Sequence, residues 1–146
     1  MRAVVQRVTK ATCWVGEKEV GSIDKGMVVF LGVGRDDKLQ DTECMANKIL
    51  NLRIFGDLQD KLNLSLLQVG GDVLIIPQFT VYGDCRKGHR PNFIKAAPPQ
   101  RAKSLYLKVV EIIKEKIPRV EEGVFGVKMR VRVDNEGPVT LILDPK

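Results

Sequence analysis

The sequence of 146 residues is poor in the side chains on which many enzymes depend. It contains one histidine, His89, and three cysteines. The cysteines are odd in number, far apart along the chain and without CxxC spacing, so they predict neither a disulfide framework nor a zinc site. We therefore expect no metal and no cofactor.

Long apolar runs are also missing. No run reaches the length of about 20 residues that a membrane-spanning helix requires. Residues 1–7 carry two arginines where a secretory signal would be apolar. The chain shows no linker, internal repeat or low-complexity segment. These absences predict no membrane segment, a cytoplasmic location and one domain over residues 1–146.

Positive charge is what the chain has in excess. Lysine and arginine number 24 and aspartate and glutamate 18, which gives a net charge of +6. Nucleic acid is one partner that this excess suits, and a mixed, solvated Lys/Glu surface is an equally good explanation. A more local signal is the cluster of Arg86, Lys87, His89 and Arg90 on one glycine-containing loop, which predicts a site for phosphates.

Apolar periodicity predicts a protein made of strands and two main helices. The first helix is expected from Asp36 or Asp37 to about Asn51, and the second after Pro98, ending before Pro118. Residues 73–76 are apolar without alternation, as in a central strand that is covered on both faces. The predicted strands are 3–8, 12–15, 19–21, 27–33, 53–55, 73–76, 124–133 and 139–143. The expected fold is α/β or α+β, with a mixed, strongly curved sheet or barrel.

The first candidate site lies where the predicted central strand ends, at Pro77, Gln78, Phe79 and Thr80. A threonine hydroxyl needs a base to act as a nucleophile, and the sequence offers no evident one, so we interpret Thr80 as structural. The backbone N–H groups of Phe79 and Thr80 are candidates for stabilising an oxyanion, because any residue type supplies them. The Gln78 amide would orient its neighbours.

The second candidate is Gly137-Pro138, which lies between two predicted strands. A plain hairpin favours Asn-Gly or Asp-Gly at such a turn. The sequence leaves both isomers of the Gly-Pro bond open, since an X-Pro bond adopts the cis form at a cost of only about 0.5–1 kcal/mol. A cis bond would turn the two carbonyls into a rigid fork without side chains.

These two segments resemble a known family. Residues 77–81, Pro-Gln-Phe-Thr-Val, and residues 135–140, Asn-Glu-Gly-Pro-Val-Thr, are similar to the S-Q-F-T-L and N-x-G-P-V-T motifs of the D-aminoacyl-tRNA deacylases. The resemblance covers essentially the whole chain, in order and at family length. It also includes residues 5–8, 31–33, 53–55, 61–64 and 88–93.

The resemblance implies a homodimer that hydrolyses the ester between a D-amino acid, or glycine, and the 3'-terminal adenosine of tRNA. It implies a cis Gly-Pro bond inserted into the partner subunit's active site. There the carbonyls of Gly137 and Pro138 would receive the substrate's amino group and leave no room for an L side chain.

The same resemblance assigns further roles at the site. Gln78, Phe79 and Thr80 would line the ester, and attack would rely on a water and the substrate's own 2'-hydroxyl. Phe125 and Met129 would hold the terminal adenine. Arg7 would support the Gly-Pro segment or the rim of the site.

Pro77 departs from the family pattern, because it stands where the motif has serine. No hydroxyl at this position can bind substrate. Two alternatives therefore stay open, namely a tRNA or single-strand RNA binding module without catalysis and a threonine-nucleophile hydrolase that uses Thr80.

Overall fold

One long strand organises the sheet. The computed structural model describes residues 1–145, and in it β1 (Arg2–Val15) pairs antiparallel with β2 (Lys18–Ile23), β3 (Gly26–Gly32) and β8 (Arg130–Leu143). Ala3 and Val5 are fully buried on one face of β1, and Val8 is fully buried on the opposite face, in a second core cluster. The alternation seen in the sequence therefore marks one continuous strand, where two had been predicted.

The predicted central strand is confirmed. Strand β6 (Asp72–Pro77) lies between β3 and β7 (Val120–Glu122) and runs parallel to both. Its residues from Val73 to Ile76 are buried, as expected of a strand that is covered on both faces. Parallel and antiparallel pairs thus coexist in a strongly curved, nearly closed sheet, which confirms the predicted fold class of a single domain with a mixed sheet.

The two main helices pack together over one face of this sheet. Helix α3 (Pro99–Lys114) begins at a proline, as predicted. Helix α1 (Leu39–Asn51) begins two to three residues later than predicted. The reason is Asp37, whose carboxylate accepts hydrogen bonds from the amino group of Met1 and the N–H of Gly34, each at 2.6 Å.

A small sheet and a single helical turn lie between α1 and β6, and of these only the first strand of the sheet, at 53–55, was predicted from the sequence. Strands β4 (Arg53–Gly56) and β5 (Leu62–Ser65) pair antiparallel, and helix α2 (Leu66–Val69) follows directly. Within the described residues, no helix has both the length and the apolar character needed to cross a membrane.

The prediction of two final strands joined by a turn was wrong. Strand β8 runs without reversing from Arg130 to Leu143, and β1 pairs with it on both sides of Gly137-Pro138. Gln6 pairs with Thr140 and Val8 with Asn135, so the four residues 136–139 stand opposite Arg7 alone. This segment, the Gly-Pro bulge, contains the cis Gly137–Pro138 peptide bond.

Candidate active site

The site begins where β6 leaves the sheet. The N–H of Gln78 donates to the carbonyl of Leu31 at 2.8 Å, and a single 3₁₀ turn follows over Phe79–Tyr82. The first N–H groups of such a turn have no partner within the turn itself. Within residues 1–145, the backbone N–H groups of Phe79 and Thr80 have no hydrogen-bond acceptor. Two consecutive main-chain donors are therefore available to a ligand.

The larger of two pockets beside this turn is apolar, with a cavity volume of about 420 Å³. Pro77, Gln78 and Phe79 form one side of it. The Phe79 ring packs edge-on against Phe93, with 5.0 Å between ring centroids. The other lining residues are Leu31, Val33, Arg35, Ala96, Ala97, Pro98, Pro99, Ala102, Tyr106, Phe125 and Gly126.

Tyr106 contributes a phenol hydroxyl to this pocket, and this is the group there that could lose a proton. Burial is the main cause that raises the pKa of Tyr106, and its hydroxyl donates to the carbonyl of Ile75 at 2.8 Å. The phenol therefore stays protonated at neutral pH, with its proton engaged by the backbone of β6. It anchors α3 to the sheet and does not serve as a general base.

The second pocket, of about 340 Å³, lies on the other side of Gln78 and Phe79. Met129 lines this pocket, whereas Phe125 lines the larger one. Gly126 lines both, with a φ of +79° and open space where a Cβ would stand. The two residues predicted to hold the adenine thus flank Gly126 from different pockets.

The hydroxyl of Thr80 contacts an amide group, which cannot act as a base. The Nε2 of Gln78 donates to the Thr80 hydroxyl oxygen. An amide nitrogen of this kind cannot remove a proton from the hydroxyl. The geometry thus agrees with the structural interpretation of Thr80 and with an orienting role for Gln78.

Arg7 lies against the Gly-Pro bulge. Its Nε donates to the carbonyl of Glu136 at 3.2 Å, and its Nη1 donates to the carbonyl of Ile54 at 2.9 Å. The Asn135 side chain accepts from the N–H of Val139 at 3.3 Å and so bridges the bulge at its base. A side chain of β1 and one of β8 therefore brace this segment from within the same subunit.

The bulge itself is exposed and lies outside the pockets of its own subunit. Gly137 and Pro138 are solvent-exposed, and the described residues that line the two pockets do not include either of them. Apolar side chains near the bulge and the turn are exposed as well, notably Ile142 at 72% and Phe79 at 57%. Within one subunit, the two candidate segments are therefore not brought together.

The basic loop is partly neutralised. Arg86 donates to both carboxylate oxygens of Asp84, and this hydrogen bonding lowers the pKa of Asp84 well below its usual range. Lys87, His89 and Arg90 remain exposed. In the part of the chain that the structure describes, no group of three or more His, Cys, Asp or Glu residues is placed to hold a metal ion.

The sequence reasoning missed Phe93 and Tyr106 as pocket residues. Tyr106 lies on a helical face that reads as ordinary core, so periodicity offered no signal for it. Phe93 ends the segment 88–93, which had been noted only for its resemblance to the family and whose aromatic residue was the available signal.

Comparison with known proteins finds relatives over the full length of the chain. The family model described as D-Tyr-tRNA(Tyr) deacylase matches residues 4–144. A D-aminoacyl-tRNA deacylase of Fervidobacterium nodosum is 56% identical over the whole chain and 98% of the relative's length. One of Thermotoga petrophila is 52% identical over 99% of this chain and 97% of its own.

A solved structure described as c-Myc DNA Unwinding Element Binding Protein has the same fold. It superposes with a TM-score of 0.94 at 36% identity, covering 99% of this chain and 98% of its own. The full-length family match, the identity above 50% and the shared fold lead to one conclusion: the chain belongs to the D-Tyr-tRNA(Tyr) deacylase family.

Proposed function

We propose that the chain hydrolyses the ester between a D-amino acid, or glycine, and the 3'-terminal adenosine of tRNA. Relatives that are 52–56% identical carry the name D-aminoacyl-tRNA deacylase. The observation that carries the proposal is the pair of unpartnered backbone N–H groups at Phe79 and Thr80, beside an apolar pocket that is poor in acid–base side chains.

These two donors suit ester hydrolysis. When a water oxygen attacks the ester carbonyl, the carbonyl oxygen becomes an oxyanion that preorganised N–H groups stabilise. The tetrahedral intermediate then collapses, the bond between the acyl carbon and the ribose 3'-oxygen breaks, and that oxygen leaves as the 3'-hydroxyl with a proton supplied by the attacking water. The substrate's own 2'-hydroxyl assists the water, which fits a site without a nucleophile–base pair.

The Gly-Pro bulge would distinguish D-aminoacyl from L-aminoacyl esters. The carbonyls of Gly137 and Pro138 would accept hydrogen bonds from the substrate's amino group and crowd the space that an L side chain needs. Because these backbone groups would contact only the substrate's α-carbon and amino group, they would distinguish D from L and accept many different D side chains. Glycine has no side chain, so this filter does not exclude it.

The filter would act in the partner subunit of a homodimer. Support comes from the exposure of Gly137 and Pro138, their separation from the pockets of their own subunit, and the exposed apolar side chains of Ile142 and Phe79. Arg7 would hold the bulge in position from behind, through Glu136.

The terminal adenine would lie over Gly126, between Phe125 and Met129. The open space at Gly126 leaves room for a flat base, and aromatic and thioether groups contact bases of any sequence.

We further propose one deacylase domain over residues 1–146, of which Lys146 lies outside the described residues, and a cytoplasmic location.

One assay tests this function. D-Tyr-tRNA and L-Tyr-tRNA are incubated with the protein, and the ester that remains is measured over time. We expect rapid loss of the D ester and persistence of the L ester. Equal hydrolysis of both, or of neither, would contradict the proposal.

The Thr80→Ala variant separates the main-chain mechanism from a threonine nucleophile. We expect its kcat/KM on D-Tyr-tRNA to stay within about tenfold of the wild type, because the N–H of residue 80 is retained and only the contact with Gln78 is lost. Complete loss of activity, with a covalent adduct trapped on the wild-type protein, would instead favour nucleophilic catalysis by Thr80.

Pro77 supports a second candidate function, that of an RNA-binding module with weak catalysis. The residue lines both pockets and has no hydroxyl for a substrate. That alternative would bind tRNA in a salt-dependent manner and leave both esters intact. The assay on the two enantiomers therefore also distinguishes the two candidates.

A further inference from the structure

We infer that a basic strip, formed by Arg130 and Arg132 of β8, by Lys128 just before β8, and by Lys10 and the half-buried Trp14 of β1, binds the phosphates of the tRNA acceptor stem. The inference deepens the proposed function and rests on it for the identity of the RNA.

The two arginines of the strip lie on one face of β8. Successive side chains of a strand point to opposite faces. Met129 and Val131 pack against the core cluster inside the curved sheet, while Arg130 and Arg132 are exposed on the other face. One face of this strand therefore contacts the candidate site, and its opposite face carries cations.

Trp14 holds the two arginines in place. It pairs with Arg130 across the sheet, and the guanidinium carbon of Arg130 lies 4.8 Å from the Trp14 ring centroid. The guanidinium carbon of Arg132 lies 5.8 Å from the same centroid. Such stacking limits the rotamers of both arginines and leaves their N–H edges available.

The cations of the strip are not neutralised by neighbours. Among residues 1–145, Lys10, Lys128, Arg130 and Arg132 form no ion pair with a carboxylate. Lys10 and Arg132 line a groove beside Trp14 together with the carboxylates of Glu19 and Asp134. Lys128 and Arg130 lie outside that groove, so the whole strip has four positive charges against these two negative ones, and guanidinium groups match the geometry of phosphate oxygens.

The position of the strip favours RNA as its partner. Met129 lines the second pocket, and Lys128 and Arg130 are its neighbours in the chain. A tRNA whose terminal adenine contacts Met129 would bring its preceding nucleotides to this edge. By comparison, Arg86 on the basic loop is already paired with Asp84.

The test uses the full-length Arg130→Gln/Arg132→Gln variant and two substrates. One substrate is D-Tyr-tRNA, and the other is the D-tyrosyl ester of a CCA trinucleotide, which lacks the acceptor stem. A Lys48→Ala/Lys116→Ala variant is the control for loss of charge, because it removes two exposed charges from elsewhere that form no ion pair with a carboxylate within residues 1–145. An Arg130→Lys/Arg132→Lys variant keeps the charge without the guanidinium stacking.

On D-Tyr-tRNA we expect the Gln variant to raise KM about tenfold. The negative slope of log(kcat/KM) against log salt should become less steep by about 1.4–1.8, as for the loss of two phosphate contacts. On the trinucleotide ester its kcat/KM should stay unchanged, and the control should match the wild type on both substrates. The Lys variant should keep most of the salt dependence.

Equal losses on both substrates, or equal losses in the Gln variant and the control, would overturn the inference. So would conversion of the Gln variant to a smaller oligomer in light scattering, because the strip would then belong to a subunit interface. The affinity for uncharged tRNA, measured by retention on nitrocellulose, reports the contribution of the strip to binding without any need for catalysis. If the wild type hydrolyses neither ester, the proposed function fails, while this binding still decides the role of the strip.

Discussion

Replacing Gly137 with alanine is expected to lower kcat/KM on D-Tyr-tRNA about 100-fold, the scale of loss when a reacting group is misplaced by about 1 Å. Gly137 has a φ of +122°, a conformation that L residues rarely adopt. An added Cβ would lie 2.9 Å from the Cγ2 of Val139 and 3.0 Å from the Nη2 of Arg7. Because L residues avoid this φ and the added Cβ crowds the side chains of Val139 and Arg7, we expect the bulge to shift and the carbonyls of the filter to shift with it.

The matched control is Gly16→Ala. Gly16 also has a positive φ, +58°, and lies in the turn between β1 and β2, where an added Cβ would have no atom within 4 Å. Both variants should lose stability by about 1–2 kcal/mol from the unfavourable φ, while only Gly137→Ala should lose activity. If Gly137→Ala kept the wild-type kcat/KM on the same D-Tyr-tRNA, a role for Gly137 in the filter would be contradicted.

Mixing two inactive variants is expected to restore about a quarter of the wild-type activity. One parent is Gly137→Ala. The other is Phe79→Pro, which lacks one proposed oxyanion donor, and loss of such a donor costs about 10²–10³ in kcat. Proline is compatible with the first position of the turn, where the N–H has no partner. Phe79→Leu keeps the donor and is the control for loss of the ring.

The recovery follows from the geometry of a filter that acts across the interface. In a mixed dimer, the Gly137→Ala subunit has an intact pocket and receives an intact bulge from its Phe79→Pro partner. Random exchange makes about half of the dimers mixed, each with one working site. If the bulge acts on its own subunit, no site is repaired, and the mixture stays as inactive as its parents.

Much of the fold was predictable because it follows from local patterns. The buried run 73–76, the proline at the start of α3 and the presence of two main helices were identified correctly. Strand β4 was predicted at 53–55, whereas its partner β5 was missed, since the partly exposed residues of β5 lack a clear period. The start of α1 was set too early because Asp37 bonds to the distant amino group of Met1.

The candidate site was predictable only in part. Backbone groups at residues 77–80 were identified from the end of a buried strand, and the structure leaves the N–H groups of Phe79 and Thr80 unpartnered among the described residues. The pocket beside them is completed by Phe93, Tyr106 and Phe125. These residues are far apart in the chain, and no local pattern distinguishes them from ordinary core residues.

The sequence by itself determined the family, the sheet-rich fold and the two segments on which the proposed chemistry depends, because these are properties of residue type and order. Tertiary structure alone decided how the Gly-Pro segment is presented. The sequence suggested a turn between two strands, whereas pairing with β1 on both sides of Arg7 keeps β8 continuous. Four residues opposite one must bulge outward, and that register depends on a strand more than 100 residues away in the chain.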